Sequence, residues 1–108
     1  MRTLKFNIDG QTIERNPDCD FENLVPGSKG YLEVEFSFSS EWDNCVKVVE
    51  FIGANSKDVK SVVLINRKVY VPDVIAARRV FGLRVIGEKR NGYRITTDKI
   101  IVRQNGGV

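Results

Sequence analysis

The stretch Tyr31–Phe51, YLEVEFSFSSEWDNCVKVVEF, constrains the fold more than any other part of the chain. Leu32, Val34, Phe36 and Phe38 fall on every second position, with Glu33, Glu35 and Ser37 between them. An extended segment with that spacing has one apolar and one polar face, the pattern of a half-buried strand. Ser39, Ser40 and Glu41 break the alternation, Trp42 stands alone among polar residues, and Cys45–Phe51 resumes as a run rich in β-branched residues. Two strands therefore meet at a corner, with Trp42 at the corner as a core plug rather than an exposed stacking platform.

The rest of the chain repeats this grammar. Leu4, Phe6 and Ile8 alternate, and Asp9-Gly10 is a hairpin turn into a second strand, Gln11–Arg15. Asn16–Gly30 is a loop with Pro17 and Pro26-Gly27, the latter a type II turn pair. Phe21, Leu24 and Val25 lie inside that loop and are expected to cap one end of a core. Strands follow at Asp58–Ile65 and Lys68–Val71, joined tightly through Asn66-Arg67. Pro72 and Asp73 then open one or two helical turns over Val74–Arg79. Phe81, Leu83 and Val85 alternate before a charged turn, Gly87–Gly92, and Tyr93, Ile95 and Thr97 alternate after it. The apolar positions then change parity to Ile100 and Val102, which requires a bulge or bend near Thr97-Asp98.

Short strands at this spacing predict an all-β fold. The expected form is a single antiparallel, immunoglobulin-like sandwich of seven to eight strands over residues 1–108, with one short helical turn and a flexible tail at 104–108. A small closed β-barrel is the alternative. The expected core holds Leu32, Val34, Phe36, Phe38, Trp42, Phe51, Phe81, Leu83 and Val85. At 108 residues such a domain folds without metal or disulfide support.

The composition excludes more chemistry than it offers. With no histidine, Ser-His-Asp and Cys-His constellations are absent, and Cys19 and Cys45 make no ordinary zinc site. The carboxylate pairs Asp18/Asp20 and Glu33/Glu35 read as solvated charges on a loop and on the wet face of a strand. Gly27-Ser28-Lys29-Gly30 lacks the spacing of a phosphate-binding loop. The expectation is a protein that is not an enzyme, with no catalytic residue, no cofactor and no metal. The alternating N-terminus does not read as a secretory signal, and no apolar run is long enough to span a membrane. A reducing cytosol then implies free thiols at Cys19 and Cys45.

Phe38, Trp42, Asp43, Lys47, Phe51, Pro72, Val85, Gly87, Thr96 and Thr97 carry a family resemblance over about two-thirds of the chain. In that order they match an alternating strand ending F-x-x-x-W-D, then K-x-x-x-F, a Pro-led helical turn, V-x-G, and a T-T before the last strand. The pattern resembles a family of small proteins encoded in tail and baseplate gene clusters of phages and prophages of Gram-positive bacteria. In strand pattern the chain is also similar to the immunoglobulin-like N-terminal domain of baseplate upper proteins. The resemblance implies a structural or adaptor module, working by protein–protein contact in the bacterial host cytoplasm or within the virion. Two other expectations stand beside it: an inhibitor that binds a host defence protein one-to-one, and a nucleic-acid-binding barrel with salt-sensitive affinity.

Charge is distributed unevenly. Residues 1–54 carry 5 basic and 10 acidic side chains, a net of −5, and residues 55–108 carry 12 and 4, a net of +8, giving +3 overall. Arg78 and Arg79 end the helical turn, while Lys89 and Arg90 tip the last hairpin. If these loops share one end of the sandwich they form a basic rim for an acidic protein, either another copy, a phage tail protein or a host protein. Tyr31, Tyr70 and Tyr93 are scattered rather than set in a row, which argues against nucleic acid as the partner.

Overall fold

A computed structural model describes residues 1–53 and 57–105. Nine strands are defined among them: β1 (Arg2–Asp9), β2 (Thr12–Arg15), β3 (Leu32–Phe38), β4 (Val46–Gly53), β5 (Val59–Val63), β6 (Lys68–Tyr70), β7 (Val80–Glu88), β8 (Arg94–Thr96) and β9 (Ile100–Arg103). A 3-10 turn, Ser40–Trp42, separates β3 from β4, and a single helical turn, α1 (Asp73–Ala76), separates β6 from β7. The strands form two sheets, a smaller one in the order β2-β1-β3-β6 and a larger one in the order β5-β4-β7-β8, with β9 also on β7. The fold is an all-β sandwich. Its order β5-β4-β7-β8 opposite β3-β6 follows strands C′-C-F-G opposite B-E of the immunoglobulin sandwich.

One pair departs from the antiparallel pattern. β1 and β3 run parallel, with Leu4 beside Val34 and Phe6 beside Phe36. Parallel neighbours need a connection of a dozen residues or more. β2 and the loop from Asn16 to Tyr31 supply it, and this loop caps the core as it returns. Leu24 is buried, and Phe21 packs edge-on against Phe6 at 5.4 Å between ring centres. Val25, expected to join them, is exposed. The Pro26-Gly27 turn has Gly27 at φ +104°, open to glycine at little cost, and the Gly27 N–H donates to the Ala76 carbonyl of α1 at 3.0 Å.

The core lies between the sheets. Leu32, Val34, Phe36, Trp42, Phe51, Phe81, Leu83 and Val85 are buried, each worth about 1.5–3 kcal/mol of apolar transfer for the aliphatic and phenyl side chains. Phe38 is half-buried instead, because it sits at the mouth of the sandwich, flanked by Trp42 at 5.3 Å and by the Lys47 ammonium at 5.1 Å. The corner is where the chain crosses from the smaller sheet to the larger. Trp42 is fully buried there and its Nε1–H donates to the Gly10 carbonyl at 2.8 Å.

The parity change after Thr97 is a one-residue bulge. β8 pairs with β7 in the register Ile86↔Thr96, whereas β9 pairs in the register Leu83↔Ile100, one residue out of step. Thr97 fills the gap, its Oγ1 accepting from the Val85 N–H at 3.0 Å and donating to the Asp98 carbonyl at 2.8 Å. The bulge also turns Asp98 toward the smaller sheet. Its Oδ1 accepts from the Ile13 N–H at 3.2 Å, and its N–H donates to the Gln11 carbonyl at 3.0 Å. A seam between β2 and the β8–β9 bulge thus joins the two sheets along one side.

Two boundaries fall elsewhere than expected. α1 ends at Ala76, so Arg78 and Arg79 lie beyond it. Gln104 does not begin a flexible tail: it is buried, and its Nε2 donates to the carbonyls of Ala76 and Arg78, both at 2.9 Å. The Ala76 carbonyl thus accepts from both Gly27 and Gln104, which ties the returning loop, the end of the helical turn and the residue after β9 together. Residues 106–108 of the expected tail lie outside the described residues.

A candidate protein-binding face

Alternation decides what each sheet shows to solvent. On the smaller sheet, Thr3, Lys5 and Asn7 lie beside Glu33, Glu35 and Ser37, with Tyr70 and Lys68 next in the rows. That outer face is polar along most of its length. Glu33, although buried, is satisfied by the Thr3 hydroxyl, which donates to its Oε1 at 2.7 Å.

The larger sheet differs. On its outer face Val48 stands between Val63 and Ile86, Ile52 lies between Val59 and Gly82, and Val46 faces Glu88. The ion pair Arg84–Glu50, 2.9 Å from Nε to Oε1, divides the two apolar ends. Val46 is 64% exposed, and with Val48 and Ile86 it lines a groove of about 410 Å³ whose rim is Glu88, Lys89 and Arg90. Glu88 is paired with Arg94. Lys89 holds its ammonium 4.7 Å from the centre of the Tyr93 ring, and Arg90 is exposed. A wall of branched apolar side chains beside cations is suited to holding an apolar segment flanked by carboxylates.

The four expected partner-contact residues do not share a rim. β7 begins at Val80, next to Arg79, and ends at Glu88, next to Lys89. Its nine residues, at about 3.3 Å each, place the two basic pairs roughly 30 Å apart at opposite ends of the sandwich. Arg78 is ion-paired with Asp58, and Arg79 is exposed beside α1. Lys89 and Arg90 remain together at the groove.

The groove's apolar residues do not show in the charge distribution. Their signal is in β4, where VKVVEFI places apolar side chains on both parities instead of one. Such a strand is either covered on both faces or shows an apolar face to solvent. Among the described residues, no three His, Cys, Asp or Glu side chains are grouped to hold a metal ion. Nor is any helix among them long and apolar enough to cross a membrane.

Six of the ten family-resemblance residues touch another of the set, whereas Phe51 packs on Phe81 near the opposite end of β7 and Pro72 caps α1. Trp42 lies against Phe38 and over Gly87, Lys47 covers Phe38, and Val85 is bonded to Thr97. They build the corner and the bulge. Compared with known proteins, the chain matches no family model, no curated protein and no solved structure.

Proposed function

We propose that the protein is a non-enzymatic binding module that holds a protein partner against the outer face of its larger sheet. The observation that carries this reading is the contrast between the two outer faces, one polar and one apolar with a basic-rimmed groove at Val46, Val48 and Ile86. The setting that the resemblance implies is a phage or prophage tail or baseplate, in which the module is a structural or adaptor piece.

Mass spectrometry of purified particles tests the setting, and a groove variant tests the surface. The chain is expected in particles, and Val46→Asp with Val48→Asp is expected to be left out of them while melting close to the parent. A chain missing from particles but bound one-to-one to a host component would favour an inhibitor of a host defence protein. Incorporation of the groove variant at the parent's level would remove this face from the reading.

A further inference from the structure

Exposed apolar side chains gather at a second place, on the other sheet. Tyr70 lies on the outer face of the smaller sheet beside Glu33, and its hydroxyl reaches the Met1 sulfur at 3.8 Å. Tyr31 follows, its carbonyl accepting from the Arg2 N–H, and Tyr31 and Val25 border one shallow pocket of about 140 Å³. Met1, Val25, Tyr31 and Tyr70 are all exposed, with Met1 at 68%. They form one patch.

The charges divide between the two patches. At the groove, Glu88 is neutralised by Arg94, while Lys89 and Arg90 take no carboxylate partner among the described residues. At the tyrosine patch, the neighbouring loop carries Asp18, Asp20 and Glu22, of which only Asp20 is ion-paired among the described residues, with Arg2 at 3.9 Å. Arg2 also anchors that loop by donating to the Asp20 and Glu22 carbonyls at 3.0 and 2.7 Å. The patches sit at opposite ends as well as on opposite sheets. Trp42 joins the Gly10 end of the smaller sheet to the Gly87 end of the larger, where the groove lies. The tyrosine patch is at the far end, where Val71 donates to the Leu32 carbonyl and Gln104 to that of Ala76.

Two complementary surfaces at opposite corners cannot meet within one chain. A two-fold pairing of the groove with itself would set Lys89 and Arg90 against the same cations of the other copy. We infer that copies of this chain associate head to tail, the tyrosine patch and acidic loop of one copy seated on the basic-rimmed groove of the next. A contact that uses a different surface on each side propagates: it closes into a ring if the rotation between copies allows, and otherwise grows as a filament. The inference rests on the groove being a protein-binding surface and names its occupant as a second copy.

Sedimentation velocity from micromolar to millimolar concentration, at low and at high salt, provides the test with three proteins. One is the parent, one carries Lys89→Glu with Arg90→Glu, and one carries Tyr31→Ser with Tyr70→Ser; melting curves establish that each is folded. The parent is expected to grow past a dimer with concentration and to shrink with salt. Each variant alone is expected to remain a monomer, and a mixture of the two variants to give a one-to-one pair and nothing larger, since each supplies the surface that the other lacks. Should the tyrosine variant fail to fold, Asp20→Lys with Glu22→Lys takes its place. A parent that stays monomeric at millimolar concentration and low salt overturns the inference, as does a tyrosine-patch variant that associates like the parent. Either result leaves the groove's role to the particle experiment, whose readout does not require self-association.

Discussion

The indole of Trp42 occupies the space that a side chain on Gly87 would need. A Cβ at Gly87 would lie 2.8 Å from both Cε3 and Cζ3 of the ring and 3.2 Å from the Cys45 Cβ. The first residue sits at the corner after β3 and the second near the end of β7, so this contact locks the crossing strand onto the larger sheet. Gly87→Ala is expected to destabilise by about 1–3 kcal/mol, because the fully buried ring has nowhere to retreat. Chemical denaturation followed by tryptophan fluorescence measures the loss. A variant as stable as the parent would mean that the ring does not occupy this position.

Trp42→Ala removes both the ring and the donor to the Gly10 carbonyl. A loss of about 3–5 kcal/mol is expected from the lost burial and the cavity together. Trp42→Phe separates the contributions, since it keeps most of the packing and loses the hydrogen bond. Its expected loss is smaller, and calorimetry of the two variants side by side gives the difference.

At the bulge, the Val85 N–H has the Thr97 hydroxyl as its acceptor in a buried setting. Thr97→Val keeps the shape and strands that donor, which is expected to cost about 1–3 kcal/mol. Thr97→Ser keeps the acceptor and is expected to lose less. If valine and serine prove equally tolerated, the hydroxyl does not hold the bulge.

The turn between β5 and β6 is strained in a way that a substitution can relieve. Asn66 and Arg67 both have positive φ, 54° and 67°, the pattern of a type I′ hairpin turn. Asparagine and glycine suit those positions and arginine does not. Arg67→Gly is therefore expected to raise stability by up to about 1 kcal/mol, seen as a melting temperature higher by roughly 4–8 °C. An unchanged or lower melting temperature would show that the Arg67 side chain contributes contacts of its own.

Cys19 and Cys45 lie in connecting segments beside different sheets. Cys19 accepts from the Lys5 N–H at 3.3 Å on the smaller sheet, and Cys45 lies beside Gly87 of the larger. Thiol titration of protein denatured without reductant is expected to find both free thiols in each chain. A titre near zero would overturn this.

Local pattern carried most of the fold. The alternation in β3 and β7, the corner at Trp42, the tight turn at Asn66-Arg67 and the parity change at Thr97 are all written in neighbouring residues, and each is found in place. What neighbours do not encode is which strands become partners and which ends they share. The parallel pairing of β1 with β3 depends on a loop that returns, and the position of Gln104 depends on carbonyls of Ala76 and Arg78 far back along the chain. The expected basic rim failed for the same reason. Arg79 and Lys89 are ten positions apart in sequence, but the strand between them is fully extended, so it separates what a turn would have joined. The groove was legible in the doubly apolar parity of β4, a signal that counting charges passes over.

The seam made by Asp98 also bears on the order in which the molecule forms. Gln11 reaches Thr96, and Ile13 reaches Asp98, each across 85 positions of chain. Such bonds close a loop almost as long as the protein, and the entropy of closing it is lost before any of them contributes. During synthesis β2 is thus an open edge until the β8–β9 bulge has left the ribosome. In that interval the exposed edge is available for pairing with the wrong strand.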